Sequence, residues 1–187
     1  MAEHVILFAG PMGAGKTTAI RSLSEIDVVS TEAANTDRET VDKETTTVAL
    51  DYGEIDLDGL EKVRLYGIPG QRRFDFMWQI LKERAKGMML LINNDAASPI
   101  DEMLEFLTEF DDLYQRGGVV IGISRSDVTP RPTVADYASA LSAARPELIV
   151  PIFTVDPRST EEMRMMLMTL IINIETRDAF GPLEVGS

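Results

Sequence analysis

Gly10-Pro11-Met12-Gly13-Ala14-Gly15-Lys16-Thr17 sets a glycine, four further residues, a second glycine, a lysine and a hydroxyl residue in unbroken order. This is G-x-x-x-x-G-K-[ST], in which each residue type has a task beside a polyphosphate. The glycines let successive backbone N–H groups curl around an anion. Lys16 reaches the outer phosphates as a cation on a long stem, and the Thr17 hydroxyl can ligate Mg²⁺. Thr18-Ala19-Ile20-Arg21-Ser22-Leu23 reads as a helix whose N-terminal dipole adds positive potential at the same place. The pattern predicts that the chain binds a nucleotide, with Gly10, Gly13, Ala14, Gly15, Lys16, Thr17 and Thr18 around the phosphates.

Such a loop needs a buried strand before it and a helix behind it. Val5-Ile6-Leu7-Phe8-Ala9 is the apolar run that qualifies as the strand. Further along, strand-like runs alternate with helix-like ones, the pattern of an α/β domain. Strands are predicted over residues 4–9, 47–55, 63–67, 87–93, 119–124 and 148–153, and helices over 16–24, 73–86, 99–116, 134–144 and 159–176. The link Asp56-Leu57-Asp58-Gly59-Leu60 is too short for a crossover helix, so the second and third strands should form an antiparallel hairpin. Met88-Met89-Leu90-Leu91-Ile92 is apolar on both faces, as a parallel strand between helix layers must be. The expected architecture is one P-loop NTPase domain over residues 1–176: a mostly parallel six-stranded sheet, one strand antiparallel, helices on both faces. Met163, Met166, Leu167, Leu170, Ile171 and Ile174 recur at helical spacing and are read as core. Residues 25–46 are acidic, threonine-rich and aperiodic, which marks a functional loop. Residues 177–187, with Gly181-Pro182, are expected to form a flexible tail.

The 187 residues suit one domain. With 31 acidic against 18 basic residues the net charge is −13, which argues against nucleic acid as a partner. Cysteine is absent, which excludes disulfides, thiolate metal sites and cysteine nucleophiles. The start Met1-Ala2-Glu3-His4 carries neither a signal segment nor a myristoylation glycine, and Glu184-Val185-Gly186-Ser187 no prenylation cysteine. A cytoplasmic protein without a direct membrane anchor is expected. His4, the single histidine, starts the first strand and is not read as a general base.

Four further segments follow the phosphate loop in order. Thr45-Thr46-Thr47 precede the second strand, and the third strand runs into Gly67-Ile68-Pro69-Gly70-Gln71-Arg72-Arg73. The fifth strand ends in Ile123-Ser124-Arg125-Ser126-Asp127, and Phe153-Thr154-Val155-Asp156 comes late. In this succession the chain resembles the Ras- and Arf-like small GTPases across residues 4–175, and within them the bacterial MglA-type, Arf-like branch, whose third motif also lacks an aspartate. The resemblance implies a Ras-like domain with switch I over 25–47 and switch II over 67–78. It makes Gly70 the γ-phosphate sensor and Gln71 the residue that orients the attacking water, with Lys16 stabilising the phosphoryl charge. It makes Thr47, with Thr46 as second choice, a ligand of Mg²⁺ and γ-phosphate beside Thr17. It lays the Arg125 stem along the base, and it brings backbone amides around Val155 to the base. Asp127 would accept hydrogen bonds from guanine N1–H and the N2 amine; adenine offers neither donor at that edge and would leave the carboxylate unpaired.

Two positions depart from the family pattern. Gly67 stands where most members hold Mg²⁺ through an aspartate and a water, and Ser124 replaces an asparagine that scaffolds the base pocket. A weakened metal shell and modest guanine selectivity are therefore expected. Arg38, Arg72 and Arg73 are candidates for transition-state charge, each more often a solvated arginine. Phe74, Met77 and Leu81 share a helix face that Phe76 and Ile80 do not, which points to an apolar surface beside the γ-phosphate sensor. The reading that follows is a GTP/GDP switch with slow hydrolysis. Its effector and activating protein would meet residues 36–47 and 68–81, and the resemblance implies partners of the Roadblock type in bacterial polarity, motility or signalling. A nucleotide-loaded scaffold with little catalysis, and an ATP-using P-loop kinase, are the alternatives.

Overall fold

The chain alternates strands and helices as β1 (Ala2–Ala9), α1 (Lys16–Leu23), β2 (Val29–Ala34), β3 (Thr47–Leu57), β4 (Glu61–Gly67), α2 (Asp75–Arg84), β5 (Gly87–Asn93), α3 (Pro99–Glu109), α4 (Asp111–Gln115), β6 (Val119–Ser124), α5 (Val134–Ala144), β7 (Ile152–Thr154) and α6 (Thr160–Phe180). The computed structural model describes residues 2–34, 47–57, 59, 61–70, 75–116 and 118–181; for 2–3, 30–34, 47–49, 75 and 77 it describes the backbone alone. The strands form one sheet in the order β2-β3-β4-β1-β5-β6-β7. β3 is antiparallel to both of its neighbours, and every other adjacent pair is parallel. The single α/β domain with one antiparallel strand is thus the expected one, and the predicted hairpin is present. Asp56 closes it by accepting the Gly59 N–H at 3.0 Å, with Gly59 in the left-handed region at φ 69°.

Side chains alternate along the central strands and build two cores. Leu7, Ala9, Leu90 and Ile92 face α2 to α5, where Trp78, Phe106, Phe110 and Tyr137 are buried. Ile6, Phe8, Met89 and Leu91 face α1 and α6, and the methionine-rich stripe of α6 is buried there along its whole length. β1 lies between β4 and β5, which leave it in opposite directions across the sheet. The strand order therefore reverses at the carboxyl end of β1, where α/β sheets open their ligand crevice.

Four expectations change. β2 adds a seventh strand inside the segment read as an aperiodic loop, pairing Val29 to Ala34 against Tyr52 to Thr47. The helix predicted over 99–116 breaks at Phe110, whose side chain is fully buried. The last strand begins at Ile152 rather than 148, since Pro151 has no N–H for the ladder and offers only its carbonyl, to the Ile121 N–H. α6 continues through Phe180, past the boundary expected at 176, so 177–180 are helical rather than tail. Among the described residues no helix is long and apolar enough to cross a membrane.

Candidate nucleotide site

The phosphate loop leaves the carboxyl end of β1 at Gly10, where φ is 144° and a Cβ would lie 2.1 Å from the Leu91 carbonyl oxygen of β5. Only glycine passes there. Lys16 folds back over the loop, its Nζ donating to the Gly10 and Pro11 carbonyls at 2.7 and 2.8 Å. Burial lowers its pKa to about 8, against the opposing pull of the Asp51 carboxylate. Met12, Gly13 and Ala14 span the loop crest, with the Ala14 N–H closing a turn onto the Pro11 carbonyl at 3.2 Å. Gly15 in the left-handed region at φ 99° then starts α1, without a side-chain cap. The free amides at a helix N-terminus are what an anion binds.

The Thr17 hydroxyl donates to a carboxylate oxygen of Asp51. Asp51 reaches it from β3, where the register pairs it with Gly67 on β4. A Cβ at position 67 would lie 2.9 Å from Ile20 Cδ1 and 3.2 Å from Asp51 Cβ. The glycine is therefore room for Asp51, which brings a carboxylate to the side of Thr17 from the adjacent strand. Hydroxyl and carboxylate oxygens are hard donors, the set that suits Mg²⁺. Thr47 opens β3, its side chain outside the described residues, as are Thr45 and Thr46.

Beyond the loop a cavity of about 810 Å³ runs from Gly13, Ala14, Gly15 and Thr18 to Arg125, Ser126 and Asp127. Asp127 is exposed at its far end. Arg125 holds the loop's bend with φ 59°, a left-handed conformation unusual for a long side chain. Ser124 keeps part of the scaffolding it was expected to lose: its buried hydroxyl lies 3.4 Å from the Ala14 carbonyl and 3.3 Å from the Ile92 carbonyl, linking β6 to the phosphate loop. Sequence reading missed Asn94. Buried after β5, it donates from Nδ2 to the carbonyls of Thr129 and Pro132 at 2.6 and 3.1 Å, and its Oδ1 accepts the Tyr137 hydroxyl at 2.6 Å. The loop carrying Asp127 is tied down by this amide. Asp95, which lines the cavity, accepts the Thr129 hydroxyl at 2.8 Å.

Val155 lines the cavity, but its N–H is committed to the Ile123 carbonyl at 2.9 Å. The Asp156 N–H is likewise taken by the Glu162 carboxylate at 2.5 Å. These two amides are held by the sheet ladder and by Glu162, and Val155 meets the cavity through its side chain. Arg158, paired with Asp156 at 2.9 Å, adds a cation to the rim. Asp156 and Arg158 pull one another's pKa apart, the carboxyl down and the guanidinium up.

Gly70 approaches the phosphate loop so closely that a Cβ would lie 2.6 Å from the Gly10 carbonyl oxygen. The preceding Pro69 carbonyl accepts the Trp78 indole N–H at 3.0 Å, which fixes this segment to α2. On α2, Trp78 and Leu81 are buried while Phe76 and Ile80 are exposed, so the apolar surface expected there is present. Gln71, Arg72, Arg73, Phe74 and Arg38 lie outside the described residues, as do 35–46 of the first switch segment.

A family model described as conserved hypothetical ATP binding protein matches residues 8–169. Among solved structures the G domain of the T. maritima FeoB iron transporter superposes with a TM-score of 0.62 at 16% identity, covering 92% of this chain and 99% of that one. Likeness at that identity is likeness of fold. No curated protein sequence matches the chain.

Proposed function

Since the chain belongs to the family of conserved hypothetical ATP binding proteins, we propose that it is a nucleotide switch, that its base is guanine, and that it hydrolyses GTP to GDP and phosphate. The observation that carries this reading is the single cavity that joins the phosphate loop to Asp127. Its length separates a polyphosphate cradle from a carboxylate that pairs with two adjacent donors on guanine. Thr17 would hold Mg²⁺ with Asp51 beside it, and the ion neutralises phosphate charge when bound. Lys16 turns from its two loop carbonyls to the outer phosphates, Gly70 presents its amide beside them, and Gln71 orients the water. That water attacks the γ-phosphorus while the bond to the β-phosphate oxygen breaks, and GDP leaves with inorganic phosphate. Residues 36–47 and 68–81 then change hands between nucleotide states, and an effector or activating protein of the Roadblock type reads them in the cytoplasm. The MglA-type, Arf-like branch agrees with the glycine at 67.

ATP is the second reading, favoured by the family's description. Nucleotide affinities of wild type, Asp127→Asn and Asp51→Asn separate the two. The guanine reading expects GTP to bind at least about tenfold tighter than ATP, and Asp127→Asn to move preference toward xanthosine triphosphate by about 2 kcal/mol. Asp51→Asn should weaken GTP binding in Mg²⁺ but hardly in EDTA. Equal GTP and ATP affinities that Asp127→Asn leaves unchanged would sink the guanine reading. Tight GTP binding without single-turnover hydrolysis, in wild type and in Gln71→Leu alike, would leave a scaffold.

A further inference from the structure

At the end of the sheet away from the phosphate loop, His4 of β1, Glu61 at the start of β4 and Glu175 of α6 come together. The imidazole Nε2 lies 3.0 Å from a Glu61 carboxylate oxygen. One potential ligand atom from each of the three residues falls within 4.8 Å of the others. His4 shares its face of β1 with Ile6 and Phe8, under the same α6 that buries Ile171 and Ile174. The histidine is 4% exposed, and its second nitrogen, Nδ1, is buried without a hydrogen-bond partner among the described residues. An ion pair with Glu61 explains one nitrogen. It explains neither the orphaned one nor the second carboxylate brought beside the first, where like charges repel.

We propose that His4, Glu61 and Glu175 form a binding site for a divalent transition-metal ion, with Zn²⁺ as the representative. Two carboxylates and a neutral imidazole carry two negative charges, which such an ion cancels. One nitrogen with two oxygens is a borderline donor set: it suits Zn²⁺, Co²⁺ or Mn²⁺ better than Mg²⁺ or Ca²⁺, which take oxygen, and it lacks the sulfur of a Cu⁺ site. Ligand bonds of about 2.1 Å require ligand atoms about 3.4 Å apart in a tetrahedron, so the widest pair closes by at most about 1.4 Å. Glu175 is exposed and can supply that movement without disturbing the core. Its outward position also leaves a fourth place for water. The site would staple the last turns of α6 to β1 and β4, and it is separate from Thr17 and Asp51 at the other end of the sheet.

The test is Zn²⁺ and Co²⁺ titration of the full chain in excess Mg²⁺, followed by calorimetry, by the visible absorption of Co²⁺ and by thermal unfolding. The expected result is one equivalent bound, Co²⁺ bands of four- or five-coordinate intensity, and a raised Tm. Glu175→Gln should weaken binding at least about tenfold while leaving the metal-free Tm unchanged, because its side chain is exposed. His4→Gln should abolish the Co²⁺ bands. The exposed Glu175→Gln variant keeps the test decisive if His4→Gln fails to fold. Absence of stoichiometric binding to wild type, or binding that Glu175→Gln leaves unchanged, overturns the proposal.

Discussion

Lys16 is the residue whose chemistry depends most on what surrounds it. Its ammonium lies half-buried against two carbonyls of its own loop, and its pKa falls from 10.5 to about 8. Between those values the unfolded chain holds the proton more firmly, so the stability of the nucleotide-free protein rises with pH across that window. Phosphates beside Lys16 have the opposite effect and keep it charged. Above about pH 8, binding must therefore take up a proton, and affinity should fall by up to about tenfold per pH unit. Calorimetry in two buffers of different ionisation enthalpy measures it: uptake near zero at about pH 7, approaching one proton at about pH 9. That a lysine would stand here was legible from the motif. That burial would soften its charge was not, because the loss of water around the ammonium follows from how the folded loop packs, and it outweighs the opposing pull of Asp51.

At the scale of elements, α2 is the part that can report a change of state. Trp78 is the only tryptophan, it is buried, and its indole N–H is bonded to the Pro69 carbonyl next to Gly70. Any displacement of Gly70 toward a γ-phosphate pulls on that bond. Trp78 fluorescence should therefore differ between the GDP state and a non-hydrolysable GTP analogue, and identical spectra would mean that this segment does not follow the nucleotide. Phe76 and Ile80 lie on the open side of the same helix. Alanine at either position should change stability by no more than about 0.5 kcal/mol, since exposed side chains lose little burial. The hairpin of β3 and β4 was readable from its short link, but its register was not, and the register is what sets Asp51 opposite Gly67.

For the whole molecule, the two cores on either side of the sheet leave the carboxyl ends of β1, β5 and β6 as the edge where the phosphate loop, Asn94 and Asp127 meet. Binding to the folded state alone stabilises it by about 2.7 kcal/mol at a ligand concentration of 100 Kd. For a chain of this size that corresponds to a Tm rise of about 5–10 °C. Thermal unfolding with GTP and Mg²⁺ checks it, and Asp127→Asn should lose the greater part of the rise with GTP while retaining it with xanthosine triphosphate.

The sequence alone determined the phosphate loop, the alternation of strands and helices, the hairpin and the buried stripe of α6. Each is written in neighbouring residues, as a motif, a short link or a period of 2 or 3.6. Only the tertiary structure decided that Asp51 sits beside Thr17, that Asn94 ties down the loop of Asp127, that the Val155 amide belongs to the sheet, and that β2 forms at the edge. It alone brought His4, Glu61 and Glu175 together. These are contacts between residues far apart in the chain, set by strand register and by which faces pack, and a one-residue shift of register would have put each side chain on the other side of the sheet.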